Sequence, residues 1–426
     1  MGRHKGITLT ERDRDVLKSI LRYRVLTLNQ IHRRFFGGRV QYHQKRLSQL
    51  VEEGYLRVEY LGAEPGTRNS CSGSGREANC YVLTGRGMRV ATEGDEDESY
   101  RRAHDNAPEN KFQLRRLVDI NEIFVRLYEY GMDDWQWLSS REVKKQWHVP
   151  AKFQWAAGGL QRGEQEMLIW YLAPLPEGKR PKRKRIEQDG EDTIEIFEGD
   201  PVRNTFRQIA DTAQKSLVLD VAVLCKDWDT WQNTVQGYLN LPLQQRPGVR
   251  SLHILHITHL DYLLAHLNGW LKKPAEGLLE KALRPPRSAE VHARYVTEDE
   301  QNFVVDATTG DIIHLLHAEN RIANPNTRER EGVIVAHHPN YLGILSPAVL
   351  DRARVEVLSE RPQPEQTTRQ RPLRQAQRAN AEPSKRVAFG IPESERNRLY
   401  DLARQADTSP TELLRTITRT FLREQG

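Results

Sequence analysis

Residues 9–60 read LTERDRDVLKSILRYRVLTLNQIHRRFFGGRVQYHQKRLSQLVEEGYLRVEY, and their succession of apolar faces and turn residues decides how the N-terminal part of the chain folds. Thr10 is a good N-cap with Asp13 three residues on, and Val16, Leu17, Ile20 and Leu21 then share one helical face. Leu26-Thr27 opens a second helix with Leu28, Ile31, Phe35 and Phe36, and Gly37-Gly38 makes a turn. A third helix is predicted over 39–53, packing Val40, Leu47, Leu50 and Val51, with Gly54 as its C-cap glycine. Its other face shows Arg39, Gln41, Tyr42, Gln44, Lys45 and Ser48.

Residues 55–60 alternate as a strand, a Gly/Ser/Arg-rich loop spans 62–78, and Tyr81-Val82-Leu83-Thr84 returns. Three helices and a two-stranded wing make a winged helix-turn-helix. Its third helix is expected to read DNA: Arg39 suits guanine, Gln41 and Gln44 suit adenine, and Lys45 and Arg46 suit phosphate. Tyr42 and, in the wing loop, Arg76 complete this candidate surface. The run LTERDRDVL…YRVLTLNQIHRRFFGG…RLSQLVEEGYL…YVLTGRG resembles the N-terminal part of the replication-relaxation family of plasmids and integrative elements.

The far end carries a second module. Val387, Phe389 and Ile391 alternate with Arg386, Ala388 and Gly390, so one face of a short strand is apolar. Two helices follow, one with Leu399, Leu402 and Ala403, the other capped at Thr408-Ser409-Pro410 and carrying Leu413, Leu414, Ile417 and Phe421. Such a unit is too small to bury a core alone but can do so if two copies pair their strands. The layout resembles the ribbon-helix-helix family of repressors and plasmid control proteins. That resemblance implies a homodimer whose ribbon enters the major groove. Arg386, Ala388 and Gly390 would face the DNA, Lys385 is a further candidate contact, and the helix start near Ser409 and Thr411 would hold a phosphate.

The net charge of +6 is segregated. Residues 1–60 hold 13 Lys/Arg against 6 Asp/Glu, and residues 361–426 hold 13 against 8, which leaves the stretch between them net acidic. The basic ends coincide with the two DNA-binding modules. No apolar run approaches a membrane span and the N-terminus lacks a signal-peptide core, so a cytoplasmic protein is expected. Three cysteines suggest a reducing interior, and Cys71 and Cys80 make a weak metal pair.

The expected organisation is α+β and multidomain. A winged helix-turn-helix spans 1–91, a linker 92–104, a central α/β domain 105–357, a flexible tether rich in Gln, Arg and Pro 358–384, and the ribbon-helix-helix module 385–426. In the central region a helix is predicted over 110–130 and strands over 135–138 and 167–172. An apolar run at 218–224 reads as a buried strand, followed by a helix at 227–239, a strand at 252–257 and a helix at 260–271. The basic run 179–185 reads as an exposed insertion.

The replication-relaxation resemblance extends loosely over 105–320, and such middle domains are similar to the restriction-endonuclease-like fold. That chemistry holds a divalent ion between carboxylates on adjacent strands, beside a lysine. The candidates are Glu122, Glu142, Asp220 and Lys226, with Mg²⁺ as cofactor only if they form a site. Pro150-Ala151 replaces a Pro-Asp, and no Glu-X-Lys follows Asp220, so a degenerate scaffold is the favoured reading and no catalytic residue, cofactor or metal is expected. His253, His256 and His259 recur every three residues and would not share a strand face. His314 and His317 read as core-edge residues, and His337-His338 as a loop pair. Trp228 and Trp231 read as core, and no GxxxxGK[ST] segment occurs.

The sequence therefore describes a sequence-specific DNA-binding protein of a plasmid or mobile element, acting in replication initiation or relaxation or its control. Its partners would be double-stranded DNA, a second copy of itself and replication or conjugation proteins. A metal-dependent nuclease or nickase and a plain transcription regulator are the alternatives.

Overall fold

The computed structural model describes residues 7–36, 40–61, 79–93, 111–147, 149, 156–174, 183–185, 195–197, 201–215, 220–288, 290, 292–324, 330–358 and 361–362. All of them lie within the first of two units, residues 1–367 and 368–426. The C-terminal module, most of the tether, the wing loop and the linker expected at 92–104, apart from Thr92 and Glu93, fall outside the described residues, and with them Arg39, Arg76, Lys385, Arg386, Ala388, Ser409 and Thr411.

The N-terminal region builds α1 (Glu11–Tyr23), β1 (Leu26–Thr27), α2 (Leu28–Ile31), a π-turn at His32–Phe36, and α3 (Val40–Glu52). Strands β2 (Leu56–Tyr60) and β3 (Asn79–Leu83) and helix α4 (Gly85–Ala91) follow. Helix α1 starts where the Thr10 hydroxyl and the Asp13 carboxylate satisfy each other's backbone N–H groups. Thr27 and Gln30 do the same for α2. Helix α3 ends at Gly54 (φ 70°), where Gly54 N–H donates to Val51 O and Tyr55 N–H to Leu50 O, a Schellman closure that requires left-handed backbone. The strands form an antiparallel sheet in the order β1-β3-β2, over a core of Val16, Leu17, Ile20, Leu26, Ile31, Leu47, Leu50, Leu56 and Leu83. Val40, expected in this core, is 43% exposed because the core-facing turns of α3 are those of Leu47 and Leu50.

Helix α5 (Lys111–Glu129) joins this region to the rest. Asn121, buried, donates from its side chain to the carbonyls of Tyr23 (3.1 Å) and Val25 (2.7 Å), and Gln30 donates to Val118 O (2.8 Å). Arg33 bonds Glu122 and Glu129 of α5.

Two five-stranded mixed sheets make up the remainder. The first runs β4 (Gln136–Ser139), helix α6 (Ser140–Gln146), β5 (Ala156–Arg162) and β6 (Gln165–Leu172). A two-stranded ribbon, β7 (Arg183–Arg185) with β8 (Glu195–Phe197), and helix α7 (Pro201–Lys215) come next. Strand β9 (Asp220–Cys225), helix α8 (Trp228–Leu239) and β10 (Ser251–His256) complete it. Its order is β10-β9-β6-β5-β4, with β4-β5-β6 an antiparallel meander and β9 and β10 parallel to β6.

Helices α9 (Leu260–Leu267) and α10 (Lys272–Leu279) lead to the second sheet: β11 (Leu283–Arg284), β12 (Tyr295–Thr297), β13 (Asn302–Asp306), β14 (Glu331–Ala336) and β15 (Arg354–Val357). Helix α11 (Ile312–Ala323) crosses from β13 to β14, and the short helices α12 (Pro339–Leu342) and α13 (Pro347–Leu350) lie between β14 and β15. Here too the first three strands are antiparallel neighbours and the last two run parallel to the third. The two sheets thus repeat one topology. They meet where Gly310 O accepts from Ile254 N–H and Asp311 bridges His253 of the edge strand β10. Gly310 sits at φ 58°, and a Cβ there would lie 2.5 Å from Ile254 O.

Candidate nucleic-acid interface

The apolar positions of α3 fix which side faces out. With Leu47 and Leu50 fully buried, helical periodicity sends Gln41, Tyr42, Gln44, Lys45 and Ser48 to solvent, and all five are exposed. Tyr42 is 69% exposed, a large aromatic surface with no apolar cover. Among the described residues no hydrogen bond or ion pair engages the side chains of Gln41, Tyr42, Gln44 or Lys45. This face offers amide, ammonium and phenol groups in the roughly two turns between residues 41 and 48.

Arg46, expected at phosphate, turns inward. Its guanidinium bonds both oxygens of the buried Asp13 and the carbonyl of Thr8. Burial pushes the Asp13 carboxyl up, but Arg46 and Thr10 outweigh it and hold it below its ordinary value. Arg46 therefore locks α3 onto the start of α1. Behind α3, His43 stacks on Phe36 (4.4 Å between centroids), and its Nδ1 lies 2.9 Å from Nδ1 of His32, which ties the helix to the π-turn.

The four nuclease candidates do not converge. Glu142 lies on helix α6 rather than a strand; its carboxylate caps that helix at Ser139 and pairs with Arg22. Glu122 lies on α5 and is held by Arg33 and Arg126. Asp220 begins β9 and is bound by Arg250 and by the Ser251 hydroxyl. Lys226 follows the other end of β9, about 20 Å along the strand from Asp220 at ~3.3 Å per residue. Each of the three carboxylates is occupied by arginine in its own place. Lys226 instead meets Asp119, a buried residue of α5 that the sequence pattern did not mark. The Asp119 Oδ2 accepts from Lys226 Nζ (2.7 Å) and Tyr171 Oη (2.5 Å). One carboxylate neutralised by one ammonium does not make a divalent-ion site, which takes several oxygen ligands.

His253 turns into the core against His266, away from His256 on the strand, whereas His256 and His259 meet the loop pair His337 and His338. Trp228 is stacked between His256 (4.7 Å) and His338 (4.4 Å), with His259 and His337 in edge contact with each other at 4.4 Å. This cluster caps the C-terminal ends of β10 and β14. Thr258 N–H donates to His256 Nδ1 and Asn340 N–H to His338 Nδ1, so those ring lone pairs turn toward their own loops. Among the described residues no group of three or more His, Cys, Asp or Glu could hold a metal ion. Cys71 falls outside the described residues, and Cys80 is buried, its thiol pushed up to about 12 by burial. No helix of the described residues is long and apolar enough to cross a membrane.

Comparison with known families matches residues 17–175 to the family described as Replication-relaxation. Residues 17–175 are thus similar to the replication-relaxation family. The match begins inside α1 and ends just past β6, so it takes in the α3 face and the first antiparallel meander and stops before the parallel strands and the second sheet. The resemblance expected as far as residue 320 is thus shown only to residue 175. Comparison with curated proteins and with solved structures found no match.

Proposed function

We propose that the protein is a sequence-specific DNA-binding protein of a plasmid or other mobile element, acting in replication initiation or relaxation or in its control. The observation that carries this reading is the outer face of α3. Four side chains able to contact bases or phosphate stand exposed, and unengaged among the described residues, on a helix whose opposite face is locked by Leu47, Leu50 and Arg46. The order helix–strand–helix–helix–hairpin, with the sheet arranged β1-β3-β2, supports a winged helix-turn-helix with α3 as its recognition helix. The family match over the same residues supports a role in replication.

The central region is proposed as a scaffold of degenerate restriction-endonuclease-like type. A helix, a three-stranded meander and a crossover to the parallel β9 support that relationship, and the arginine-paired carboxylates support the loss of catalysis. The C-terminal residues 385–426 are proposed, from their sequence, as the dimerising ribbon-helix-helix, with Arg386 toward guanine.

Selection of bound duplexes from a random pool, followed by footprinting on the enriched sequence, tests the reading. A defined footprint is expected. Binding that shows no sequence preference at physiological salt would refute it.

A further inference from the structure

A cavity of ≈ 690 Å³ opens between the two sheets, within the size range of small-molecule sites. Asp306, at the end of β13, is fully buried at its floor. Its Oδ1 accepts from Thr308 N–H (2.8 Å) and Thr308 Oγ–H (2.6 Å), and its Oδ2 from His266 Nδ1–H (2.7 Å). Burial pushes the Asp306 carboxyl up, but His266, Arg294 and Thr308 outweigh it and hold it low, so Asp306 is an anion. With Nδ1 engaged by Asp306, Nε2 is the ring nitrogen of His266 left for a ligand.

The other acids of the lining are also engaged. Asp311 Oδ1 accepts from the N–H groups of Leu252, Ile313 and His314, and Asp220 is bound by Arg250 and Ser251. The cations are less engaged. Arg294 donates to His266 O at 3.4 Å and lies over the Tyr295 ring at 5.8 Å, and among the described residues its buried Nε has no hydrogen-bond partner. Arg287, its side chain 69% exposed, holds a single pair with Glu300. Such an exposed pair is worth at most about 1 kcal/mol and yields to a better anion. The carboxylates are engaged within the protein but keep spare lone pairs, so an anion alone would leave these hydroxyl acceptors unused, and a purely cationic ligand would leave Arg294 unmatched. A phosphate monoester on a hydroxyl-bearing body satisfies both sets, because guanidinium forks fit phosphate and carboxylates or ring nitrogens accept from sugar hydroxyls.

We propose that this cavity binds one phosphate-bearing molecule of 5′-mononucleotide size, its phosphate on Arg294 and Arg287 and its hydroxyl groups facing His266. The site is separate from the α3 face, so its test does not depend on DNA recognition.

The test titrates the full chain by calorimetry with adenosine 5′-monophosphate, adenosine, inorganic phosphate and short oligothymidylates with and without a 5′-phosphate. One monophosphate per chain is expected, with adenosine weaker by at least about tenfold, the loss of one charge-assisted contact. Arg294→Met should weaken binding by at least about tenfold. Arg287→Ala should weaken it about threefold to tenfold without changing the melting temperature, which guards against misfolding of the buried variant. Binding of only the 5′-phosphorylated oligonucleotide, lost in both variants, would assign the same phosphate site to a DNA end. No binding of any phosphate probe at roughly millimolar concentration, or binding unchanged in both variants, overturns the proposal.

Discussion

The α3 face and the carboxylates of α5, α6 and β9 both carry polar side chains, yet they behave oppositely. Gln41, Tyr42, Gln44 and Lys45 stand exposed with no partner among the described residues. Glu122, Glu142 and Asp220 each hold an arginine, and Asp119 holds Lys226. A charged group paired inside the protein orders the fold; one held out on a rigid helix with nothing to bind waits for something else. This is the difference expected between the proposed recognition surface and the proposed scaffold, even though both carry residues that sequence patterns single out.

Breaking a pair on the scaffold side should have the largest effect. Lys226→Ala leaves the buried Asp119 with the Tyr171 hydroxyl but without its ammonium, and a loss of about 3–5 kcal/mol is expected in urea denaturation. A loss below about 1 kcal/mol would show that the pair is solvated and that the comparison is drawn too sharply.

Acid should sharpen the contrast in another way. Burial pulls His253 down to about 4, and His292 likewise to about 4. A histidine lowered in the fold contributes stability above its unfolded value of 6.5, and that contribution is lost as pH falls from 6.5 towards 4. Asp306, held low, keeps its contribution until pH falls below 3.8, so the histidines govern this window. His253 alone accounts for something on the order of 3 kcal/mol at full protonation. Denaturation at pH 7 and pH 4.5 checks this: His253→Gln should lose less stability between the two than the parent chain does. Equal losses would contradict the assignment.

A smaller effect, about 2 kcal/mol, is expected from Asn121→Ala, which strips two buried carbonyls of their donor where the N-terminal region meets α5. Protease cleavage near residues 92–110 should then speed up; unchanged cleavage would mean that Arg33 and Gln30 suffice to hold the junction. No effect at all is expected on supercoiled plasmid incubated with the protein and Mg²⁺ or Mn²⁺. Nicking that vanishes in Asp220→Ala would restore the nuclease reading.

The N-terminal helices were legible in sequence because each combines a cap with a 3.6-residue apolar face: Thr10 with Asp13, Thr27 with Gln30, and Gly54 at the end of α3. Strand β5 was not legible. Its Ala-Ala-Gly-Gly start lacks any alternation, since Gly158 and Gly159 exist to admit Trp137 and Trp147; a Cβ at Gly159 would lie 2.2 Å from the Trp147 ring. The second sheet was hidden for a related reason, as β13 and β14 are short runs buried on both faces that carry no period of two. Glu142 could have been placed correctly, because Ser139-Ser140-Arg141-Glu142 is a capping-box pattern that marks a helix start. The inward turn of Arg46, the Asp119–Lys226 pair and the meeting of His256 with His338 depend on contacts across 33, 107 and more than 80 positions of chain, which local spacing does not report.

The account rests most directly on α3 as the recognition helix. The deciding measurement is the affinity of the full chain for its selected duplex against a random duplex, for the parent chain and for Gln41→Ala, Gln44→Ala and Lys45→Ala. Each glutamine variant should lose about 1–3 kcal/mol on the selected duplex and little on the random one, while Lys45→Ala should weaken both alike. If all three bind both duplexes as the parent does, α3 does not enter the groove and the central claim is wrong.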